Sequence, residues 1–112
     1  MSDKEDEKTI IFDEIDAGIG GKTADILGSY LDEISKSHQL FCITHLPQIA
    51  SYAKNHYLIE KYVDGDKTNI SVKSLDNNKR VKEIARMLSG EPTEVALRHA
   101  RELLKKRTER PL

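Results

Sequence analysis

The sequence predicts an α/β fold in which a βαβ unit with two parallel strands precedes a β-hairpin and two helices. Two short apolar runs, at residues 9–12 and 39–44, are typical of strands buried on both faces of a parallel sheet. Between them, apolar residues spaced three and four apart predict a helix over residues 21–35 with one buried stripe. A strand, a helix and a strand at this spacing form a unit that is normally right-handed and parallel.

Turn and cap residues place the elements that follow. Pro47 fits the first turn of a short helix, and Asp64–Gly65 is a hairpin turn signal. Gly90 is typical of a helix end, and Thr93 is a reasonable helix start. The expected bounds are a short helix over 47–53, two hairpin strands over 56–63 and 67–75, and two closing helices over 78–88 and 93–106.

Composition limits the class of protein more than it identifies a function. A chain of 112 residues favours one domain, and its net charge of −1 gives no global argument for binding nucleic acid or a membrane. The single cysteine, Cys42, cannot form an internal disulfide, which fits a reducing cytosol. Because no apolar run approaches membrane-spanning length and no signal-peptide pattern is present, we expect a cytoplasmic protein without a membrane partner.

Three acids follow the first predicted strand within four positions, in the run Ile10 to Asp16. Ligands of open α/β sheets bind at the carboxyl ends of the strands, so this strand delivers Asp13 and Glu14 to such a place. Asp13 suits hydrated Mg²⁺, and Glu14 suits a base that polarises water against a γ-phosphate. This is the Walker B pattern of nucleotide triphosphatases. A strand that ends in a solvated acidic turn remains an equal alternative for the motif alone.

A histidine follows the second predicted strand, in the run Ile43-Thr44-His45. At the carboxyl end of a neighbouring strand it can bond a γ-phosphate and sense its loss. The same acids also fit the DExD motif of helicases, but that class follows its next strand with a Ser-Ala-Thr-like motif. His45 therefore favours a different ATPase. The other three histidines show no metal-ligand spacing and are interpreted as structural.

The run Gly20-Gly21-Lys22-Thr23 looks like a phosphate-binding loop but fails the full pattern. That pattern needs a glycine five residues before Gly21, where this chain has Asp16. Nearby acids would also repel a phosphate. We interpret the run as a backbone turn that needs a flexible φ.

Several segments together resemble one family. Residues Asp13–Ala24 closely resemble the Walker B and D-loop segment of the RecN family, bacterial DNA double-strand-break repair ATPases related to the SMC proteins. Residues Thr44–Ala50 resemble the switch-histidine segment of the same family. Residues 83–88 and 96–104 resemble its closing helices, so that the resemblance extends from Thr9 to about Lys105.

This resemblance implies the P-loop NTPase-like carboxy-terminal lobe of an ABC/SMC-type ATPase head, over residues 9–107. We expect residues 1–8 to form a flexible N-terminal segment, whose native origin stays open, and residues 108–112 to form a tail. The resemblance also implies a cytoplasmic, nucleoid-associated location in a bacterium.

The resemblance assigns roles to residues at the strand ends and in the loop after the first strand. Glu14 would be the catalytic base, His45 would contact the γ-phosphate, and Asp13 would hold Mg²⁺ directly or through water. Contacts to the nucleotide and between heads are expected from Asp16, Ala17, Gly18 and Gly20. Whether Asp16 contacts a second subunit or caps the turn stays open. Gly20 stands where many ABC and SMC heads carry aspartate, so no D-loop aspartate carries over.

The implied cofactors are ATP and Mg²⁺, and the implied partners lie outside this chain. They are an amino-terminal half of the same head carrying Walker A, a second head across ATP, and DNA, the last by resemblance only. We therefore expect the chain alone to be inactive. A DExD helicase core fragment and a non-enzymatic dimerisation module remain the alternatives.

Overall fold

The computed structural model describes residues 8–14 and 17–109 and confirms the expected α/β order. A parallel pair of strands around a helix comes first, and an antiparallel hairpin and two helices follow. The elements in chain order are β1 (Thr9–Asp13), α1 (Gly21–Ser35), β2 (Gln39–Ile43), α2 (Pro47–Ala50), β3 (Tyr57–Asp64), β4 (Lys67–Ser74), α3 (Asn77–Ser89) and α4 (Glu94–Glu109).

The βαβ unit forms as its sequence pattern predicts. β1 and β2 pair in parallel, in a register that runs from Thr9 opposite Gln39 to Asp13 opposite Ile43. Helix α1 begins and ends at the predicted residues, and Ala24 and Leu31 of its apolar stripe are buried. A first core forms there, because these two side chains pack with half-buried residues of both strands; its other members are Ile49, Phe12, Ile19, Leu27, Leu40, Cys42 and Leu46.

Within the described residues, only one face of these two strands is buried. Side chains alternate along a strand, and α1 covers only one face of the pair. On the other face Ile11 is 67% exposed, Phe41 47% and Ile43 43%. The described part of the chain contributes no element that covers this apolar face, which we call the open sheet face.

The hairpin has a second apolar surface. Asp64 pairs with Lys67, so the loop is Gly65–Asp66, one residue later than the predicted turn, and Gly65 adopts a φ of +65°. A two-residue hairpin loop commonly needs this left-handed conformation. One face of the hairpin exposes its large apolar side chains to solvent: Tyr57, Ile59, Val63, Ile70 and Val72.

Helices α3 and α4 pack on each other around a second core, whose buried members are Ile84, Ala85, Ala96, Ala100 and Ala50. Asp76 caps α3 by accepting a 2.8 Å hydrogen bond from the Lys79 amide, and Gly90 ends the helix with a φ of +84°. The Thr93 hydroxyl oxygen accepts from the Ala96 amide at the start of α4, as a cap should. Helix α4 ends three residues later than predicted, at Glu109.

Helix α2 joins the two cores although it has only four residues. Ile49 belongs to the first core and Ala50 to the second. We expected this helix to reach Ala53, but it ends at Ala50 and gives way to a turn. α2 therefore lies between the βαβ unit and the closing helices.

Candidate functional site

The predicted acids lie at the carboxyl end of β1, beside the end of β2. Asp13 is the last residue of β1 and stands opposite Ile43. The Glu14 amide extends the ladder by donating a 3.1 Å hydrogen bond to the Ile43 carbonyl oxygen. Both acidic residues are exposed to solvent. They are thus fixed by backbone bonds to β2 while their side chains remain accessible.

Glu14 has an unusual backbone conformation. Its φ is +54°, in the left-handed region, and Glu14 is the only non-glycine residue with a positive φ in the described ranges. Non-glycine residues seldom adopt this region, and such strain is concentrated at functional sites. The Ala17 amide donates a 3.3 Å bond to the Glu14 carbonyl oxygen, which closes the turn that follows. The chain therefore leaves its extended path at the residue predicted to be the base.

His45 lies two residues beyond Ile43, at the same edge of the parallel pair. The Thr44 hydroxyl oxygen accepts a 3.0 Å hydrogen bond from the Leu46 amide and so closes a tight turn around the histidine. The His45 residue is exposed. Because both strands run in the same direction, the structure places His45 at the sheet edge that also carries Asp13 and Glu14.

The loop between β1 and α1 carries the other predicted residues. Asp16 lies outside the described residues. Ala17 is exposed, and Gly18 adopts a φ of +79°, which only glycine adopts without strain. Gly20 is the N-cap of α1, and its carbonyl oxygen accepts the 2.9 Å bond from the Ala24 amide. Our interpretation of the run Gly20–Thr23 as a turn that needs a flexible φ is wrong: Gly20 has a φ of −81°, and residues 21–23 form the first turn of α1.

Gln48 is a neighbour of this site to which the sequence had assigned no role. Its side-chain nitrogen Nε2 lies 3.5 Å from the position that a Cβ on Gly21 would take. The side chain of α2 thus touches the start of α1. Only the resemblance of residues Thr44–Ala50 to the switch-histidine segment pointed to Gln48. Its contact with the start of α1 joins two distant segments, and such a contact produces no periodic pattern in the sequence.

A groove of about 760 Å³ lies away from these residues, between the carboxyl-terminal ends of α1 and α4. Three of its cations are bonded within the chain: Arg80 and Arg107 donate to groups around α2, and Lys36 pairs with Glu33 at 3.1 Å. None of the predicted site residues lines this groove. We therefore do not place the nucleotide there.

Metal chemistry has a single candidate ligand at the strand ends. Within residues 8–14 and 17–109, no three His, Cys, Asp or Glu side chains form a group that could hold a metal. Asp13 is the residue predicted to hold Mg²⁺, an ion that keeps several waters and often takes only one or two carboxylates. His56 lies elsewhere and has a lowered pKa. Burial disfavours its charged form and the positive charge of Arg80 repels it, while the attraction from Glu83 is weaker.

Among the helices described, none is both long and apolar enough to cross a membrane.

Curated relatives of this chain are DNA repair proteins named RecN. The chain is 46% identical to RecN of Deinococcus radiodurans over 99 residues, 47% identical to that of Streptomyces coelicolor over 97, and 42% identical to that of Haemophilus influenzae over 104. These alignments cover 88%, 86% and 92% of this chain but only 18%, 17% and 19% of the relatives. The chain therefore spans less than a fifth of the length of these relatives. No family model matches it.

A solved structure shares the fold. It is a chain from a structural study of SMC ATPases, which concerned their ATP-driven dimerization and DNA-stimulated activation. The match has a TM-score of 0.56 and 22% sequence identity, over 72% of this chain and 48% of the other. This likeness confirms the expected fold class: the chain shares an α/β fold with part of that SMC ATPase chain. Over about nine tenths of its length, the chain is similar in sequence to a short segment of the RecN proteins.

Proposed function

We propose that this chain is the carboxy-terminal lobe of a RecN-type ATPase head and supplies Walker B, the D-loop and the switch histidine for ATP hydrolysis in double-strand-break repair. The observation that carries the proposal is the register of β1 and β2. It aligns the ends of both strands, so that Asp13, Glu14 and His45 belong to one sheet edge. The sequence similarity to RecN of Deinococcus radiodurans supports the same interpretation.

Each residue has a role that its position allows. Asp13 would hold Mg²⁺ directly or through water, and the ion would supply positive charge against the phosphate groups of ATP. Glu14 orients the attacking water and accepts its proton. His45 donates a hydrogen bond to a γ-phosphate oxygen, where charge develops as the bond breaks. Ala17, Gly18 and Gly20 belong to the loop that faces a second head, and the role of Asp16, which lies outside the described residues, stays open.

The rest of the head comes from outside this chain. RecN relatives are more than five times as long as the stretch that matches, which leaves room for an amino-terminal half carrying Walker A. The open sheet face supports this, because apolar strands of an α/β sheet are normally covered by further elements. A second head across ATP and DNA as effector are proposed from the family and from the behaviour described for the SMC neighbour.

The experiment compares variants of the complete RecN-type polypeptide that contains this chain. Asp13→Asn should raise the Mg²⁺ concentration needed for half-maximal ATP hydrolysis by about 10–100-fold. His45→Ala should lower kcat by about 10²-fold, as removal of one oxyanion donor does. Asp64→Asn and His99→Ala are matched controls, since both residues are exposed and lie far along the chain from β1 and β2. Unchanged Mg²⁺ dependence and kcat in both test variants would refute the assignment and favour a non-enzymatic module.

A further inference from the structure

The four-residue helix α2 must be held in place by its surroundings. One turn of helix is not stable alone, because nucleation fixes several residues for a single hydrogen bond. Its N-cap, Leu46, provides no side-chain cap, and the four residues have few internal bonds. The Ile49 and Ala50 amides donate to the Leu46 carbonyl oxygen at 3.1 and 3.0 Å. Leu46 is thus part of α2's first turn, and His45 is its immediate neighbour.

Arg80 of α3 binds the carboxyl-terminal end of α2. Its Nη2 donates to three backbone carbonyl oxygens, those of Ala50 at 3.2 Å, Ser51 at 3.2 Å and Ala53 at 2.6 Å. A helix end leaves such carbonyl groups without partners inside the helix. Arg80 therefore satisfies the end of α2 and fixes the turn that follows it.

Arg107 of α4 binds the same segment from a second side. Its Nε donates 3.0 Å to the Ser51 hydroxyl oxygen and its Nη2 donates 3.2 Å to the Gln48 carbonyl oxygen. The same guanidinium forms an ion pair with Asp25 of α1 and lies 3.9 Å from the centre of the Tyr52 ring. Arg107 is only 6% exposed. A buried arginine with this set of partners ties α2 to both α1 and α4.

We propose that Arg80 and Arg107 form a clamp, hereafter the arginine clamp, that positions His45 for its part in ATP hydrolysis. Both guanidinium groups hold the segment 48–53, and only Leu46 and Pro47 separate that segment from His45. Loss of either arginine lets α2 tilt and displaces the histidine relative to Glu14. The two arginines are positioning residues and touch no substrate. The proposal rests on the function proposed for His45.

The chemistry of the clamp requires arginine. A planar guanidinium donates in several directions at once, whereas a lysine ammonium is a compact point charge on a flexible stem. Arg80→Lys and Arg107→Lys keep the charge but lose the simultaneous bonds to several oxygens. The chain offers matched controls on the same helices. Arg86 of α3 bonds to Glu83 of its own helix, and Arg101 of α4 is exposed.

The first measurement is amide hydrogen exchange and NMR on this chain. In Arg80→Lys and Arg107→Lys, the Ile49 and Ala50 amides should exchange at least about tenfold faster, since local opening becomes easier. The His45 amide resonance should shift in both variants. Arg86→Lys and Arg101→Lys should leave both readouts as in the parent chain. Unchanged exchange and an unmoved His45 resonance in the clamp variants would overturn the proposal, whatever the enzyme does.

The second measurement is turnover by the complete RecN-type polypeptide with the same four substitutions. The clamp variants should lower kcat by about tenfold or more, because a small misplacement of a catalytic group is costly, while KM for ATP stays within about threefold. If exchange rises but kcat does not fall, the clamp is structural only and the positioning proposal is wrong. If His45→Ala itself leaves kcat unchanged, the proposed function fails instead, which keeps the two failures distinguishable.

Discussion

Gly28→Ala should destabilise the chain, although the same change in an exposed helix usually stabilises it. Gly28 is buried in α1, and a Cβ built there would lie 2.5 Å from Cδ2 and 2.7 Å from Cε2 of Tyr52. It would also lie 3.2 Å from the Gln48 carbonyl oxygen. Carbon atoms in contact are normally about 3.5–4.0 Å apart, so the Tyr52 ring must move by about 1 Å.

The opposing energies can be compared. Alanine in a helix interior is favoured over glycine by about 0.5–1 kcal/mol. Overpacking costs about 1–3 kcal/mol, and displacing the Tyr52 ring from Arg107 weakens a cation–π contact of about 0.5–1 kcal/mol. The overpacking therefore dominates, and the free energy of unfolding should fall by about 1–3 kcal/mol.

Urea unfolding followed by circular dichroism measures this change. Ser29→Ala, at the next and exposed position of α1, is the control and should be neutral or slightly stabilising. In a Tyr52→Leu background, Gly28→Ala should cost less, because the ring it meets is gone. An increase in stability of Gly28→Ala, or the same cost in both backgrounds, would refute the reasoning.

Three further predictions concern the chain by itself. It should hydrolyse no ATP, because the run Gly20-Gly21-Lys22-Thr23 fails the full phosphate-loop pattern; steady turnover that Glu14→Gln abolishes would contradict this. It should self-associate through its open sheet face, and Ile11→Lys should reduce the association seen by light scattering, whereas a clean monomer at high concentration would count against it. Its stability should fall as the pH drops below about 6.5, because His56 is held neutral in the fold while the unfolded chain takes up the proton. Urea unfolding should show less of this pH dependence in His56→Gln than in His99→Gln, and equal slopes would refute it.

Local patterns predicted the elements well where the controlling signal was itself local. Helix α1 has the expected bounds because glycines precede an apolar stripe at helical spacing. The hairpin turn was one residue off, because Asp64–Gly65 and Gly65–Asp66 are both acceptable turn pairs and only the strand register decides between them. An open apolar surface could be expected, because such strands are normally covered on both faces and part of that cover was expected from outside this chain; which face stays open could not be predicted.

The candidate site also combines features that the sequence predicts with features that it does not predict. Asp13, Glu14 and His45 could be predicted to share one edge, because parallel strands align their carboxyl ends. Their proposed roles are still predictions. The left-handed conformation of Glu14 could not be predicted, since φ there is set by the loop that follows. The contacts of Arg80 and Arg107 join residues that are 27–82 positions apart, and no spacing rule reports them. Gly28 carried a visible signal, a glycine inside a helix, whose cause was the Tyr52 ring and not a flaw in the helix.

Glu14→Gln in the complete RecN-type polypeptide tests the central claim most directly. The substitution keeps the size of the side chain and removes the base, so ATP should still bind with an affinity within about threefold while turnover falls by about 10²–10⁴-fold. Glu102→Gln, at an exposed position of α4, should change neither quantity. Rapid-quench measurement of ATP hydrolysis under saturating ATP isolates the chemical step. A Glu14→Gln rate within a few fold of the parent rate would show that the end of β1 is not the hydrolytic site.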